Sequence, residues 1–274
     1  MGAAIITPIK SLGRNVPTGF DPGPGNLVVQ QGIYETSTVK KHALGTRLQI
    51  GNRVFYYASA GGALVAGLLT ESAVFGGSAT VIQTNLAVAT ATNGSNVAGQ
   101  PLINVTMATD TPTLDQFAGG YLSGYDTTAA NGMGSSFRIK KNSAAAAPCV
   151  IELHDDIPSG VSFVAGTSKV NVISNEFYNV QTRATTPVGF PTGVPVVACA
   201  SGSYCWLQTF GPVCMLLDSS GTDAVQLLAS LNTAGGASIQ VAGGSSLAAP
   251  SIGFLMHLAI ASGKYGMVFL QLMI

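Results

Sequence analysis

Charged side chains are scarce in this 274-residue chain: Asp, Glu, Lys and Arg make up 9% of it, against roughly 25% in an ordinary soluble domain. Twelve basic residues are balanced by twelve acidic ones, for a formal net charge of zero. No cationic excess remains to neutralise a run of phosphates, so nucleic acid is not an expected partner. Disorder is excluded from the other side, because 47% apolar residues at zero net charge is the reverse of what keeps a chain unfolded. Uninterrupted apolar runs of membrane-spanning length are also missing. The start, MGAAIITPIKSLGR, has no basic residue ahead of its short apolar stretch and is broken by Pro8, so neither a signal peptide nor a transmembrane helix is expected there. The most apolar segment, Leu247 to Ile274, is cut by Pro250, His257, Gly263 and Lys264 and reads as buried strand; no membrane partner is expected.

The residues that carry chemistry are few and unpatterned. Three histidines occur, at 42, 154 and 257, and no GxSxG, SxxK, HExxH, GxGxxG or GxxxxGK[ST] string is present. His154-Asp155-Asp156 is the one local cluster of metal-ligating types, but Ile157-Pro158-Ser159-Gly160 follows it. Three consecutive ligands cannot converge on one ion unaided, so a solvated turn is expected. The four cysteines, at 149, 199, 205 and 214, fit neither a zinc pattern nor a redox CxxC. Buried free thiols in a reduced, cytoplasmically assembled protein are the expectation. The expected inventory is therefore no catalytic residue, no metal and no cofactor, in a chain that is not an enzyme.

What the chain does have is glycine, proline and short β-type runs. Residues 1–44 read as an extended arm, because Pro8, Pro17, Pro22 and Pro24, interleaved with glycines, forbid a helix. Its apolar residues Ile5, Ile6, Ile9, Leu12, Phe20 and Leu27 need burial, either on the same body or across a neighbouring subunit. The second alternative makes them candidate interface residues. Residues 45–175 read as a β domain. Arg47 to Ile50 alternates polar and apolar, Gly51-Asn52 is a two-residue turn, and Arg53 to Tyr57 returns with β-branched and aromatic residues, which is a hairpin signal. Ala58 to Glu71 has Leu64, Leu68 and Leu69 at helical spacing, so one short helix is expected there despite Gly61, Gly62 and Gly67. Short apolar runs follow at regular intervals up to Ile173, including one at Val161 to Val164. Residues 176–193, with Pro187, Pro191 and a Thr-rich patch, read as a linker. Residues 194–274 supply about six more strands, counting Tyr204 to Thr209 and Pro212 to Leu217 separately. The expected fold class is mainly β, with β-sandwich or barrel regions, an extended N-terminal arm and little helix.

The segment Thr186 to Leu217, TPVGFPTGVPVVACASGSYCWLQTFGPVCMLL, resembles a pattern found in virion proteins of tailed bacteriophages. Gly202, Tyr204, Trp206, Leu207, Gln208, Thr209, Gly211 and Pro212 fill its places, with Ser203 inserted between the first two. Leu44 to Arg47 with Tyr57-Ala58 and Leu64 to Gly67, Gly120 to Leu122 with Phe137 to Lys140, and Gly263 to Leu270 are similar to the same group. The resemblance implies a capsid decoration or cement protein on the exterior of the virion. It would bind major capsid protein and itself, as a homo-oligomer with a trimer as the first expectation. Trp206, the one tryptophan, reads first as a core residue and joins the six arm residues as a candidate interface position. The rival expectations are a major shell or spike subunit, or a glycan-degrading enzyme carried on a virion; the latter's long β-helix repeats are not visible.

Overall fold

A computed structural model describes residues 31–73, 81–92, 94–108, 111–125, 134–145, 147–185, 189–218, 227–229, 234–239, 251–256 and 262–272. Among them there are strands, turns and bends and no helix, and the protein is mainly β as expected. Ile5, Ile6, Ile9, Leu12, Phe20, Leu27 and His257 lie outside the described residues. Two compact units are formed: residues 1–72 with 179–274, and residues 73–178. The second is inserted in the chain of the first. This differs from the consecutive layout of arm, β domain, linker and C-terminal region, because Arg53–Ser59 and Thr70–Glu71 find pairing partners beyond residue 179.

The first unit opens with β1 (Arg47–Ile50) and β2 (Arg53–Ser59), the hairpin expected from Gly51-Asn52, in which Ile50 faces Arg53. Gly51 takes a φ of 60°, a left-handed conformation that glycine adopts without a Cβ clash. The segment expected as a helix is instead irregular chain, with bends at 61–62 and a turn at 66–67, that leads to β3 (Thr70–Glu71). Leu64 forms a bridge with Cys199, and Gly67 turns at a φ of 77°, so the leucine spacing serves burial in a β environment and not a helical face.

The inserted unit holds β4 (Ile82–Val88), β5 (Leu102–Thr106), β6 (Tyr121–Gly124), β7 (Ser136–Asn142), β8 (Cys149–Leu153) and β9 (Lys169–Ile173). They close into an antiparallel barrel in the order β4-β5-β8-β7-β6-β9, which leaves no free sheet edge. Alternation sets its interior: β8 and β9 bury every second residue, and Leu86, Ile103, Phe117, Leu122, Ile139, Ile151, Val170 and Val172 fill the middle. Asn142 ties a loop to this core. It accepts from Phe117 N at 2.8 Å and donates to the carbonyls of Thr113 and Ser143, each at 3.0 Å. Val161 to Val164, expected as a strand, is irregular chain that puts Phe163 against Phe137.

Back in the first unit come β10 (Gln181–Thr182), β11 (Pro191–Pro195), β12 (Tyr204–Leu217), β13 (Leu227–Ala229), β14 (Ser238–Ile239), β15 (Ser251–Leu255) and β16 (Lys264–Gln271). The sheet runs β10-β3-β11-β12-β16-β15-β13-β14, with the β1-β2 hairpin attached to β12. Residues 176–193 are therefore not a linker. Within them Gln181 and Thr182 face Glu71 and Thr70, and Pro191 begins the next strand. Glu71, fully buried, binds this returning chain: it sits 3.5 Å from the Arg183 guanidinium and accepts from Ala184 N at 3.2 Å and Gly189 N at 3.4 Å. Burial lowers the pKa of Arg183 from the ordinary guanidinium value, and the Glu71 carboxylate opposes that shift.

β12 is one fourteen-residue strand where the sequence reads as two. Its first half pairs with β2 and its second with β16, and the change of partner falls at a bulge between Gln208 and Phe210. The buried Gln208 amide braces that bulge by donating to the Phe210 and Pro212 carbonyls at 3.1 and 2.8 Å.

Candidate interaction surface

Strands β12, β16 and β15 bury one face and present the other. Val213, Met215, Leu217, Val268, Leu270, Ile252 and Leu255 form the inward cluster. The opposite face follows from the register, in which Pro212 faces Phe269, Cys214 faces Met267, Leu216 faces Tyr265, and Phe254 faces Phe269. Tyr265 is 50% exposed, Met256 46% and Met267 39%; Cys214 is exposed, while Phe210, Pro212, Leu216, Phe254 and Phe269 are half-buried. None of these side chains carries a charge. A sheet face that meets water ordinarily alternates to polar residues, and this one does not.

Tyr265 is held in place by what lies under it. Its ring covers Gly67, where a Cβ would stand 2.6 Å from Tyr265 Cε1, and the Gly67 carbonyl accepts from Leu216 N at 2.9 Å. Only glycine combines this contact with the positive φ already noted. Where β1, β2 and β12 meet, a shallow depression of about 310 Å³ is lined by Arg47, Gln49, Tyr56, Thr209, Phe210 and Leu272. Phe210 belongs to both features, so the depression adjoins the apolar face. Arg47 donates to Gln49 Oε1 at 3.1 Å across its rim.

Trp206 lies elsewhere. It is 2% exposed, inside a cluster with Ile33, Leu48, Phe55 and Tyr57 from the same chain. Its ring centroid is 5.1 Å from those of both Tyr57 and His42, and Tyr204 stacks on Tyr57 at 5.9 Å. Its surface is occupied by side chains of its own unit. Residues 31–37 supply part of that cover. Gln31 accepts from Tyr57 Oη at 2.8 Å through Oε1, and its Nε2 donates to the carbonyls of Glu35 and Tyr204, each at 2.8 Å. The described end of the arm thus packs on its own body. Burial pushes the Tyr57 phenol up to about 12 and lowers the pKa of His42.

His154, Asp155 and Asp156 are all exposed in a bend after β8, as expected of a solvated turn. Among the described residues no three of His, Cys, Asp and Glu come together as a metal site. No helix among them is long and apolar enough to cross a membrane. All four cysteines are free thiols; Cys149, Cys199 and Cys205 are buried, whereas Cys214 is exposed, against the expectation for it.

The residues of the apolar face escape sequence reading for a physical reason. In Lys264–Gln271 both parities are apolar, Tyr265, Met267 and Phe269 on one and Val268 and Leu270 on the other. Alternation then cannot say which side is covered. No protein-family profile, no curated protein and no solved structure matches this chain.

Proposed function

We propose that the protein is a non-enzymatic structural component of a tailed-bacteriophage virion. In this reading it is a decoration or cement protein that binds major capsid protein and neighbouring copies of itself on the capsid exterior. The observation that carries it is the uncharged apolar face of β12, β16 and β15. Such a face is stabilised by contact with another protein surface at about 25 cal/mol per Å² removed from water, and contiguous apolar patches of several hundred Å² mark interaction sites.

The motifs behind the phage resemblance support the reading by where they fall. Tyr57 and Ala58 pair with Trp206 and Cys205, and Gly211 and Pro212 pair with Leu270 and Phe269. Segments far apart in sequence therefore build one sheet, and two of them also build its exposed apolar side. Tyr121 and Leu122 likewise pair with Arg138 and Phe137 in the barrel.

The test is sedimentation and electron microscopy of the full chain, alone and after passage over a lysate of tailed-phage particles, with bound protein identified by mass spectrometry. Self-association together with capture of a major capsid protein is expected. A monodisperse monomer at tens of micromolar that captures no capsid protein would sink the proposal. Turnover of capsular glycans would favour the enzyme reading instead.

A further inference from the structure

The depression where β1, β2 and β12 meet is a product of the bulge. In a regular strand neighbouring side chains point to opposite faces, yet Thr209 and Phe210 both line it. Gln208 faces Phe55 and Phe210 faces Val54, so Thr209 is the extra residue, and the bulge turns two consecutive side chains to one side. Thr209 Oγ1 donates to the Val54 carbonyl at 3.4 Å, and Leu272 N donates to the Thr209 carbonyl at 3.0 Å. The hairpin supplies the other wall, with Arg47 facing Tyr56 and Gln49 facing Val54. Asn52 closes the turn end, its carbonyl packed against Gly211, where no Cβ would fit.

The lining divides by chemistry. Val54, Phe210, Leu272 and the ring of Tyr56 give hydrocarbon and aromatic surface, and the exposed Arg47, Gln49 and Asn52 bring one guanidinium and two amides to the same opening. No carboxylate lines the depression, and among the described residues Arg47 makes no ion pair. One of its five N–H groups goes to Gln49 Oε1, which orients both side chains and leaves the rest of the fork for a ligand. A volume of about 310 Å³ stands at the small end of ligand pockets and suits a single ring. We propose that the depression binds an acidic saccharide through one pyranose ring that carries a carboxylate. The carboxylate accepts from the Arg47 fork. The Gln49 and Asn52 amides, each both donor and acceptor, answer the ring hydroxyls. The C–H face of the sugar lies on Phe210 and Tyr56. A nucleic acid strand would call for a run of cations, and the lining holds one. The inference does not rest on the virion reading.

The experiment titrates the full-length chain and follows saturation transfer to the ligand and the shifts of the protein's methyl signals. The probes are the methyl glycosides of glucuronic, galacturonic and N-acetylneuraminic acids. Methyl glucoside and methyl galactoside keep the ring without the carboxylate, and acetate keeps the carboxylate without the ring. At least one acidic glycoside is expected to bind, to move the Val54 and Leu272 methyls, and to exceed the neutral glycosides and acetate by about tenfold or more, as a charged hydrogen-bonded pair allows. Arg47→Met, at an exposed position, should keep the native circular dichroism spectrum and bring the acidic glycoside down to the level of the neutral ones. Should that variant fail to fold, the comparison of acidic and neutral glycosides on the native protein decides alone. No binding of any acidic glycoside at about 10 mM, equal binding of neutral and acidic glycosides, acetate bound as tightly as the glycosides, or unchanged affinity in Arg47→Met would each overturn the inference.

Discussion

The indole Nε1 of Trp206 donates to the main-chain carbonyl of Gln31 at 2.8 Å, across 175 positions of sequence. Gln31 is 4% exposed and answers with its own side chain to Tyr57, Glu35 and Tyr204. One amide thus fixes the end of the arm on the aromatic cluster. Gln31→Ala removes three side-chain hydrogen bonds and is expected to cost about 1–3 kcal/mol. Trp206 is the sole tryptophan, so its emission reports the site directly. A lower unfolding midpoint with a red-shifted native spectrum is expected; an unchanged midpoint would show that residues 31–37 add nothing to the fold.

His42 gives the same cluster a pH dependence. Burial depresses its folded-state pKa below the unfolded value of 6.5. Protonation therefore favours the unfolded chain, and its stabilising contribution is complete above pH 6.5 and is lost as pH falls through the folded value. Carboxylates titrate lower and add their own loss, so the difference between native protein and His42→Phe isolates the histidine. Melts followed by Trp206 fluorescence at pH 7.5 and pH 5.5 should show a larger drop for the native protein. Equal drops would exclude His42 as the source.

Two carboxylates set a contrast between buried and exposed ion pairs. Glu71 and Arg183 are 0% and 4% exposed at the side chain, and Glu71→Gln leaves a buried cation unpaired. A loss of about 3–5 kcal/mol is expected. Glu152 lies 2.7 Å from Lys140 Nζ and 2.8 Å from Lys141 Nζ, both lysines more than half exposed. Those ammonium groups hold its carboxyl below the ordinary range. Glu152→Gln should cost no more than about 1 kcal/mol, and less in high salt. Chemical denaturation of both variants at low and high ionic strength checks the ordering.

The apolar face makes its own prediction. Met256→Lys with Met267→Lys places two charges on positions that are 46% and 39% exposed. The circular dichroism spectrum should not change, while self-association should weaken by tenfold or more, about 1.4 kcal/mol, if the face is buried between subunits. Assembly equal to that of the native protein would remove this face from the interface.

The strands of the barrel and the first hairpin are largely legible in the sequence, because turns there lie 8 to 15 residues apart, but the closure of β4 on β9, Ile82 against Ile173, is not. The first unit is less so. Its decisive pairings, Tyr57 with Trp206 and Glu71 with Gln181, join residues more than a hundred positions apart, and no local pattern encodes that choice. Gly211-Pro212 reads as a break because Pro lacks an N–H, yet the strand runs through it in register with β16, just past the bulge between Gln208 and Phe210. The spacing of Leu64, Leu68 and Leu69 suggests a helix, while the positive φ of Gly67 and the bridge at Leu64 belong to a turn and a β pairing. Trp206 is legible as a large buried residue, but not which chain buries it.

The insertion of the barrel between Glu71 and Gln181 imposes an order on biogenesis. Those two residues are directly opposed, so the ends of the inserted segment leave and re-enter at one antiparallel pair. On a ribosome, β1 to β3 emerge with nothing to pair with except each other, and the whole barrel is made before β10, β11 and β12 appear. The barrel has every strand partner within its own span and can close while synthesis continues. Once closed, it converts a long, entropically expensive excursion into a short fixed one, and the sheet of the first unit is completed after the insert has already folded.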